Sequence, residues 1–365
     1  MIKVLISASG TGGHIIPAIQ LARKLKNKGC DIFFAANGLK SRKIFREENF
    51  SYLDISASQI NKKKLFFAFF KILKGLFQSL KLILKYKPNV IVGFGSYHTF
   101  PVVLAAYVLR KKIVLFDSNT TLGQVNKIFS KKAKIVALQF EKENQLNNEM
   151  LVKRFPWFCE DNKNKNLRCD FLKKIKLEKN IFTILIFGGS QGSKIINDNF
   201  LNNIKDLSEK QKVQVIHIVG EGIVLSKIKK IYDDLNIKSY VSLFEKDLKP
   251  FYKISDLVIS RAGACSISEL IYFEKPSILI PYKKAKDNHQ LKNALFMQNK
   301  VKSSTIITED DLSKNSLLKE ISYFLENGQK KLCLFKENIQ KFKSIDEKKN
   351  KKDLSDLVLK IGKKS

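Results

Sequence analysis

The chain has 365 residues, 44% of them hydrophobic, and a formal net charge of +33. That length suits two α/β domains with cores of their own, and no apolar run is long enough to cross a bilayer, so a membrane is expected to hold the chain at its surface only. Seven of the 67 basic residues are arginine, the usual reader of base edges, and no nucleic-acid module is recognisable; the lysine surplus, partly a bias shared with Asn, Ile and Phe, points to anionic lipid headgroups instead.

Residues 2–7 read as a buried strand rather than a signal peptide, which places the chain in the cytoplasm. The strand runs into Ser9-Gly10-Thr11-Gly12-Gly13-His14 and a helix through Ile19 and Leu25. Glycines let the backbone turn sharply and aim N–H groups at an anion, and a helix N-terminus adds positive potential. The spacing is neither the dinucleotide G-x-G-x-x-G nor a P-loop, and alone it fits a plain strand-to-helix turn. His14 stands at the helix mouth, where a neutral imidazole can serve as a base. Residues 31–35 form the next strand. Residues 62–87 then read as a basic helix with Phe66, Phe69, Phe70, Leu73, Leu76 and Phe77 on one broad face. That face is wider than one core contact needs, as in helices that lie in a headgroup layer.

A strand over 89–92 ends in a second glycine turn, Gly93-Phe94-Gly95-Ser96-Tyr97, and another strand spans 113–116. Residues 160–180 are charged and Asn-rich and read as a linker or surface loop. The pattern then restarts. A strand over 182–187 leads into Gly188-Gly189-Ser190-Gln191-Gly192-Ser193 and a helix that Ser190 can cap while donating to a phosphate oxygen. Strands over 213–219, 257–260 and 277–281 follow. Ser260-Arg261-Ala262-Gly263-Ala264 opens a helix that carries Glu269, a carboxylate suited to a ribose's two hydroxyls. Arg261 fits either a diphosphate or a surface acid. Pro281-Tyr282, Asp287-Asn288-His289-Gln290 and Asn293-Ala294 gather amides and an imidazole that suit sugar hydroxyls. The stretch from about residue 330 is helical and lysine-rich, and either docks or frays. The five cysteines form no C-x-x-C pair and the four histidines lie far apart, so reduced thiols and no metal site are expected.

Continuous apolar strands alternating with helices imply parallel sheets covered on both faces. The fold expected is α/β, two doubly wound Rossmann-like domains facing a cleft, with ligands at the carboxyl ends of both sheets. The domains read as 1–160 and 161–340, with 341–365 as a lysine-rich helix or tail. Such a site offers a candidate base in His14 and fixed positive potential for an anion.

In order and spacing, these motifs resemble the MurG family, the UDP-N-acetylglucosamine transferases of peptidoglycan synthesis, from Gly10 to about Gln298. The resemblance implies the glycosyltransferase B fold and inverting transfer of N-acetylglucosamine from UDP-N-acetylglucosamine to the muramyl 4-hydroxyl of lipid I, the undecaprenyl-pyrophosphoryl-muramyl peptide, giving lipid II. It implies a peripheral enzyme at the cytoplasmic face of the inner membrane, acting in cell-wall biogenesis without metal or cofactor. Carried over by position, Gly188, Gly189, Ser190 and Gln191 meet the UDP phosphates and Glu269 the ribose. Phe244 and Glu245 read uracil near Arg261, Gly263 and Ala264. His289, Gln290 and Asn126 hold the donor sugar, with Thr11, Gly12 and Gly13 also facing the donor. Gly10, Gly12 and Gly13 with Gly93, Gly95, Ser96 and Tyr97 cradle the acceptor diphosphate beside Asn119, and His14 is the base.

The chain departs from the family at three places. Gly-Gly-Tyr reads Gly95-Ser96-Tyr97, His-Glu-Gln-Asn reads Phe116-Asp117-Ser118-Asn119, and Asn-Pro-Val-Arg reads Phe155-Pro156-Trp157-Phe158, without the arginine. Three alternatives remain open on sequence: a UDP-N-acetylglucosamine 2-epimerase, which has no use for the Phe-rich basic helix; a transferase with another lipid acceptor; and a basic nucleic-acid-binding protein, suggested by charge alone.

Overall fold

The computed structural model describes residues 1–10, 12–59, 65–141, 147–156, 167–189, 192–210, 212–326, 328–349 and 351–363. The chain divides into two units, Met1–Phe158 with Asn350–Ser365, and Cys159–Lys349.

In the first unit, strands and helices alternate: β1 (Lys3–Ser7), α1 (Gly12–Asn27), β2 (Asp31–Ala36), α2 (Lys43–Arg46), β3 (Ser51–Asp54), α3 (Leu65–Tyr86), β4 (Val90–Gly93), α4 (Phe100–Val108), β5 (Ile113–Asp117), α5 (Gln124–Phe129), β6 (Ile135–Leu138) and β7 (Glu149–Leu151). The strands form one parallel sheet in the order β3-β2-β1-β4-β5-β6-β7. Both faces are covered, which is why the central strands are apolar without alternation. Val4 and Ile6 pack with Ile15, Ala18 and Leu21 of α1, while Leu5 joins Ile91, Val102 and Leu115 on the opposite face. The strand order reverses between β1 and β4, so the turns after these two strands flank the crevice where doubly wound sheets take ligands.

The second unit repeats the plan: α6 (Leu167–Lys174), β8 (Phe182–Phe187), α7 (Lys194–Lys210), β9 (Val213–Ile218), α8 (Leu225–Asp234), β10 (Ser239–Ser242), α9 (Lys249–Ile254), β11 (Leu257–Ser260), α10 (Ala264–Tyr272), β12 (Ser277–Leu279), α11 (His289–Leu295), β13 (Ser304–Ile306), α12 (Lys314–Glu326) and α13 (Gly328–Glu347). Its parallel sheet has the order β10-β9-β8-β11-β12-β13, and the reversal falls between β8 and β11. The third glycine turn follows β8, and the Ser260–Glu269 motif follows β11.

Two expectations need correction. The stretch 160–180 is not all loop: residues 167–174 are helix α6, with Leu172, Ile175 and Leu177 buried and Phe171 edge-on to Phe251 at 5.1 Å. The apolar spacing, hidden among lysines, gives α6 a face to bury. Nor do residues 341–365 stand apart. Residues up to Glu347 continue α13 of the second unit, and the last helix, α14 (Leu354–Lys363), belongs to the first. Leu354, Leu357 and Val358 enter the core beside β1 and α1, and Lys24 pairs with Asp353 at 2.7 Å.

Candidate active site

In the first unit the two glycine turns are tied to one another. Ser96 Oγ donates to the Ser9 carbonyl at 3.2 Å, and a Cβ on Gly10 would stand 3.1 Å from the His98 ring. His14 is the third residue of α1, within its first turn, and is partly exposed. Thr11, expected in the same turn, lies outside the described residues. Gly95 has φ +80°, and a Cβ there would come within 2.5 Å of Asn126 Nδ2; only glycine fits this turn.

Beneath the second turn sits a hub built on Asp117. Its carboxylate accepts from Gly123 N at 2.7 Å, Asn126 Nδ2 at 3.0 Å and Asn119 N at 3.1 Å. Asn126, expected at the donor sugar, is fully buried and also donates to the Phe116 carbonyl at 2.9 Å. Its Oδ1 is buried with no hydrogen-bond partner among the described residues. Ser118 Oγ donates to the Gly13 carbonyl at 3.2 Å, so the strand end that departs from the family pattern supports the first turn.

His98 was not anticipated. Its ring stacks on Tyr97 with centroids 3.9 Å apart, and Nδ1 meets Asn37 Oδ1 at 3.2 Å. Burial, reinforced by the Arg42 charge, lowers its pKa to about 4, so the ring is neutral at physiological pH. A histidine after a glycine turn was the available signal.

In the second unit, Gly188 packs so tightly that a Cβ would lie 2.2 Å from Ser193 N. Gly189 and Gly192 take positive φ, and Gly192 N donates to the Gly189 carbonyl at 3.0 Å. Ser190 and Gln191 lie outside the described residues. The turn delivers the chain to the first N–H groups of α7, an anion-binding end.

Glu269 is partly buried on α10 and accepts from Tyr252 Oη–H at 3.1 Å. Desolvation pushes its pKa up to about 8, against the hydrogen bond and with a small push from Asp247. Phe244 is exposed, and Glu245 accepts from Tyr240 Oη–H at 2.7 Å. Gly263 precedes α10 as its N-cap residue, and Ala264 begins it.

Asp287 and Asn288 are both left-handed, at φ 54° and 52°, and turn the chain into α11. Few residues other than glycine tolerate that conformation, Asp and Asn among them. His289 then donates from Nδ1–H to the Lys286 carbonyl at 2.8 Å, which leaves Nε2 as its second polar atom. Gln290 Oε1 accepts from Tyr282 N at 3.0 Å, and Asn293 Nδ2 donates to the Ala262 carbonyl at 3.1 Å.

Arg261 takes the acid-pairing option left open by the sequence. It is buried, pairs with Glu309 at 2.6 Å, and donates to the Ile280 carbonyl at 3.1 Å and to Ser193 Oγ at 2.8 Å. Nothing in the sequence marks Ser193 or Glu309 as its partners, because both are far from it along the chain.

On α3 the small residues Ala68, Gly75 and Ser79 are buried with Ile83, and a Cβ on Gly75 would clash with the Ser56 carbonyl. Phe66, Phe69, Phe70 and Phe77 are exposed, Phe66 by 77%, while Leu73 and Leu76 are half-buried. Phe67 and Leu84 extend the exposed set. No helix among the described residues is long and apolar enough to cross a membrane.

Two domains of glycosyltransferase family 28 match in order, the N-terminal domain over residues 4–138 and the C-terminal domain over residues 183–357. A UDP-N-acetylglucosamine–N-acetylmuramyl-(pentapeptide) pyrophosphoryl-undecaprenol N-acetylglucosamine transferase of Protochlamydia amoebophila is 36% identical over 335 residues, 89% of this chain and 88% of that one. The transferase of the same name from Rickettsia bellii is 34% identical, covering 90% and 92%. Among solved structures, MurG of Acinetobacter baumannii shares the fold with a TM-score of 0.75 over 99% of this chain and 100% of that one, at 24% identity. Glycine turns at the carboxyl ends of two doubly wound sheets, matched domain by domain and relative by relative, lead to one placement: the chain belongs to glycosyltransferase family 28 and, within it, to the family of UDP-N-acetylglucosamine–N-acetylmuramyl-(pentapeptide) pyrophosphoryl-undecaprenol N-acetylglucosamine transferases.

Proposed function

We propose that the protein transfers N-acetylglucosamine from UDP-N-acetylglucosamine to the muramyl 4-hydroxyl of lipid I, forming lipid II. The observation that carries this reading is its likeness, over nearly its whole length, to relatives named for that transfer. In the reaction the acceptor hydroxyl attacks the anomeric carbon as the bond to the diphosphate breaks, inverting the centre. His14 takes the hydroxyl proton. The departing pair of electrons goes to UDP, whose phosphates lie on the turn Gly188–Ser193 and the first N–H groups of α7. Glu269 accepts the ribose hydroxyls, the backbone at Phe244 and Glu245 reads the base, and His289 and Gln290 hold the sugar. Gly10, Gly12, Gly13, Gly93, Gly95, Ser96 and Tyr97 take the acceptor diphosphate with Asn119 alongside.

The exposed Phe face of α3, with Lys71, Lys74, Lys81 and Lys85 on the same helix, holds the enzyme to an anionic membrane surface at its cytoplasmic side. The fully buried positions of α3 are Ala68, Gly75, Ser79 and Ile83, and Phe66, Phe69, Phe70 and Phe77 stand outside the core. The deciding experiment is label transfer from UDP-N-acetylglucosamine to a short-chain lipid I analogue, in EDTA. Formation of the β-linked disaccharide is expected; intact donor and acceptor after prolonged incubation would defeat the assignment.

A further inference from the structure

We infer that Arg261 is a positioning residue: rather than touching the donor, it holds Ser193 and so fixes the turn on which the UDP diphosphate rests. The inference builds on the donor reading proposed above, and its basis is the way the guanidinium is spent. Nη2 donates to Ser193 Oγ at 2.8 Å. Nη1 donates to the carbonyls of Ile280 and Pro281 at 3.1 and 3.3 Å and lies 2.6 Å from Glu309 Oε1. The Tyr282 ring sits 5.3 Å from the guanidinium carbon. Glu309 in turn accepts from Lys283 N at 3.3 Å.

One planar fork therefore ties the chain segments that follow four neighbouring strands of one sheet: the turn after β8, its own position after β11, the segment after β12 and the segment after β13. Lysine has the charge but not the fork, and cannot span these partners at once. Ser193 is well placed to pass this rigidity on. It is buried, its backbone N is the atom a Cβ on Gly188 would strike, and its carbonyl accepts from Asn197 N at 3.0 Å within α7. Glu309 neutralises the cation, so the potential offered to a diphosphate comes from the N–H groups of α7 and not from Arg261.

The test separates phosphate binding from nucleoside binding in the full-length protein. Affinities for UDP and for uridine are measured by competition against a fluorescent UDP analogue, for the natural chain and for Ser193→Ala, Ser193→Thr, Glu309→Gln and Arg261→Lys. Loss of one charge-assisted hydrogen bond is expected to weaken UDP by roughly tenfold in Ser193→Ala, with uridine unchanged and Ser193→Thr restored. Arg261→Lys should behave as Ser193→Ala, and Glu309→Gln should weaken UDP in the same direction. Equal loss of UDP and uridine, or UDP affinity unaltered in Ser193→Ala, overturns the positioning role while the donor reading stands. A natural chain that binds neither ligand overturns both.

Discussion

The carboxyl of Glu269 links the proposed donor site to pH. It is desolvated on α10, which pushes its pKa up to about 8, and in the role proposed for it two ribose hydroxyls are best accepted by its ionised form. Donor binding then releases a proton, so UDP affinity should climb between pH 6 and 8, approaching tenfold per unit at the steep limit, and level off above. Titration calorimetry across that range should show the climb, and Glu269→Gln should bind weakly and without slope; an equal slope in the variant would place the proton elsewhere. The same shift works against folding as pH rises from 4.5 to about 8, where an unfolded carboxyl has ionised and the native one has not. His14 makes the complementary prediction. His14→Ala should lower turnover by roughly a hundred- to ten-thousand-fold and leave UDP affinity intact, whereas parallel losses in both would remove it from the base role. The motif residues themselves were legible, because glycines, His14 and Glu269 sit at fixed offsets from strand ends. The partners of Arg261 and Asn126 were not, since hydrogen bonds across a sheet rim leave no local spacing.

At the scale of elements, the outward aromatic face of α3 was legible in the sequence, and its buried face was not. Its Phe residues marked the exposed face, whereas the buried one carries Ile83 with Ala68, Gly75 and Ser79, small residues that allow close backbone approach. Each exposed Phe offers roughly 1.5–3 kcal/mol on burial in an apolar phase. Phe69→Ser with Phe70→Ser should therefore cut sedimentation with anionic vesicles at least tenfold while turnover on a soluble acceptor persists. Undiminished sedimentation would mean that lipid does not cover this face. Most strands flanked on both sides were read, but β6, between β5 and β7 with three buried residues, was not. The sheet-edge strands β3, β7 and β10 were not, because none has a fully buried residue and so none shows an apolar run.

For the whole molecule, two doubly wound units followed from the recurrence of strand, glycine turn and helix, whereas the destination of α14 did not. Its lysine-rich sequence left docking and fraying both open, and only the placement of Leu354, Leu357 and Val358 against β1 and α1 makes it part of a core. Leu357→Ala should cost about 2–5 kcal/mol, seen as an early transition in thermal unfolding, while a change below ~0.5 kcal/mol would show that the helix is dispensable. Because β1 precedes the second unit in sequence and α14 follows it, the first unit is discontinuous and the second is not. On the ribosome, the second unit's segment is complete while the first still lacks its closing helix.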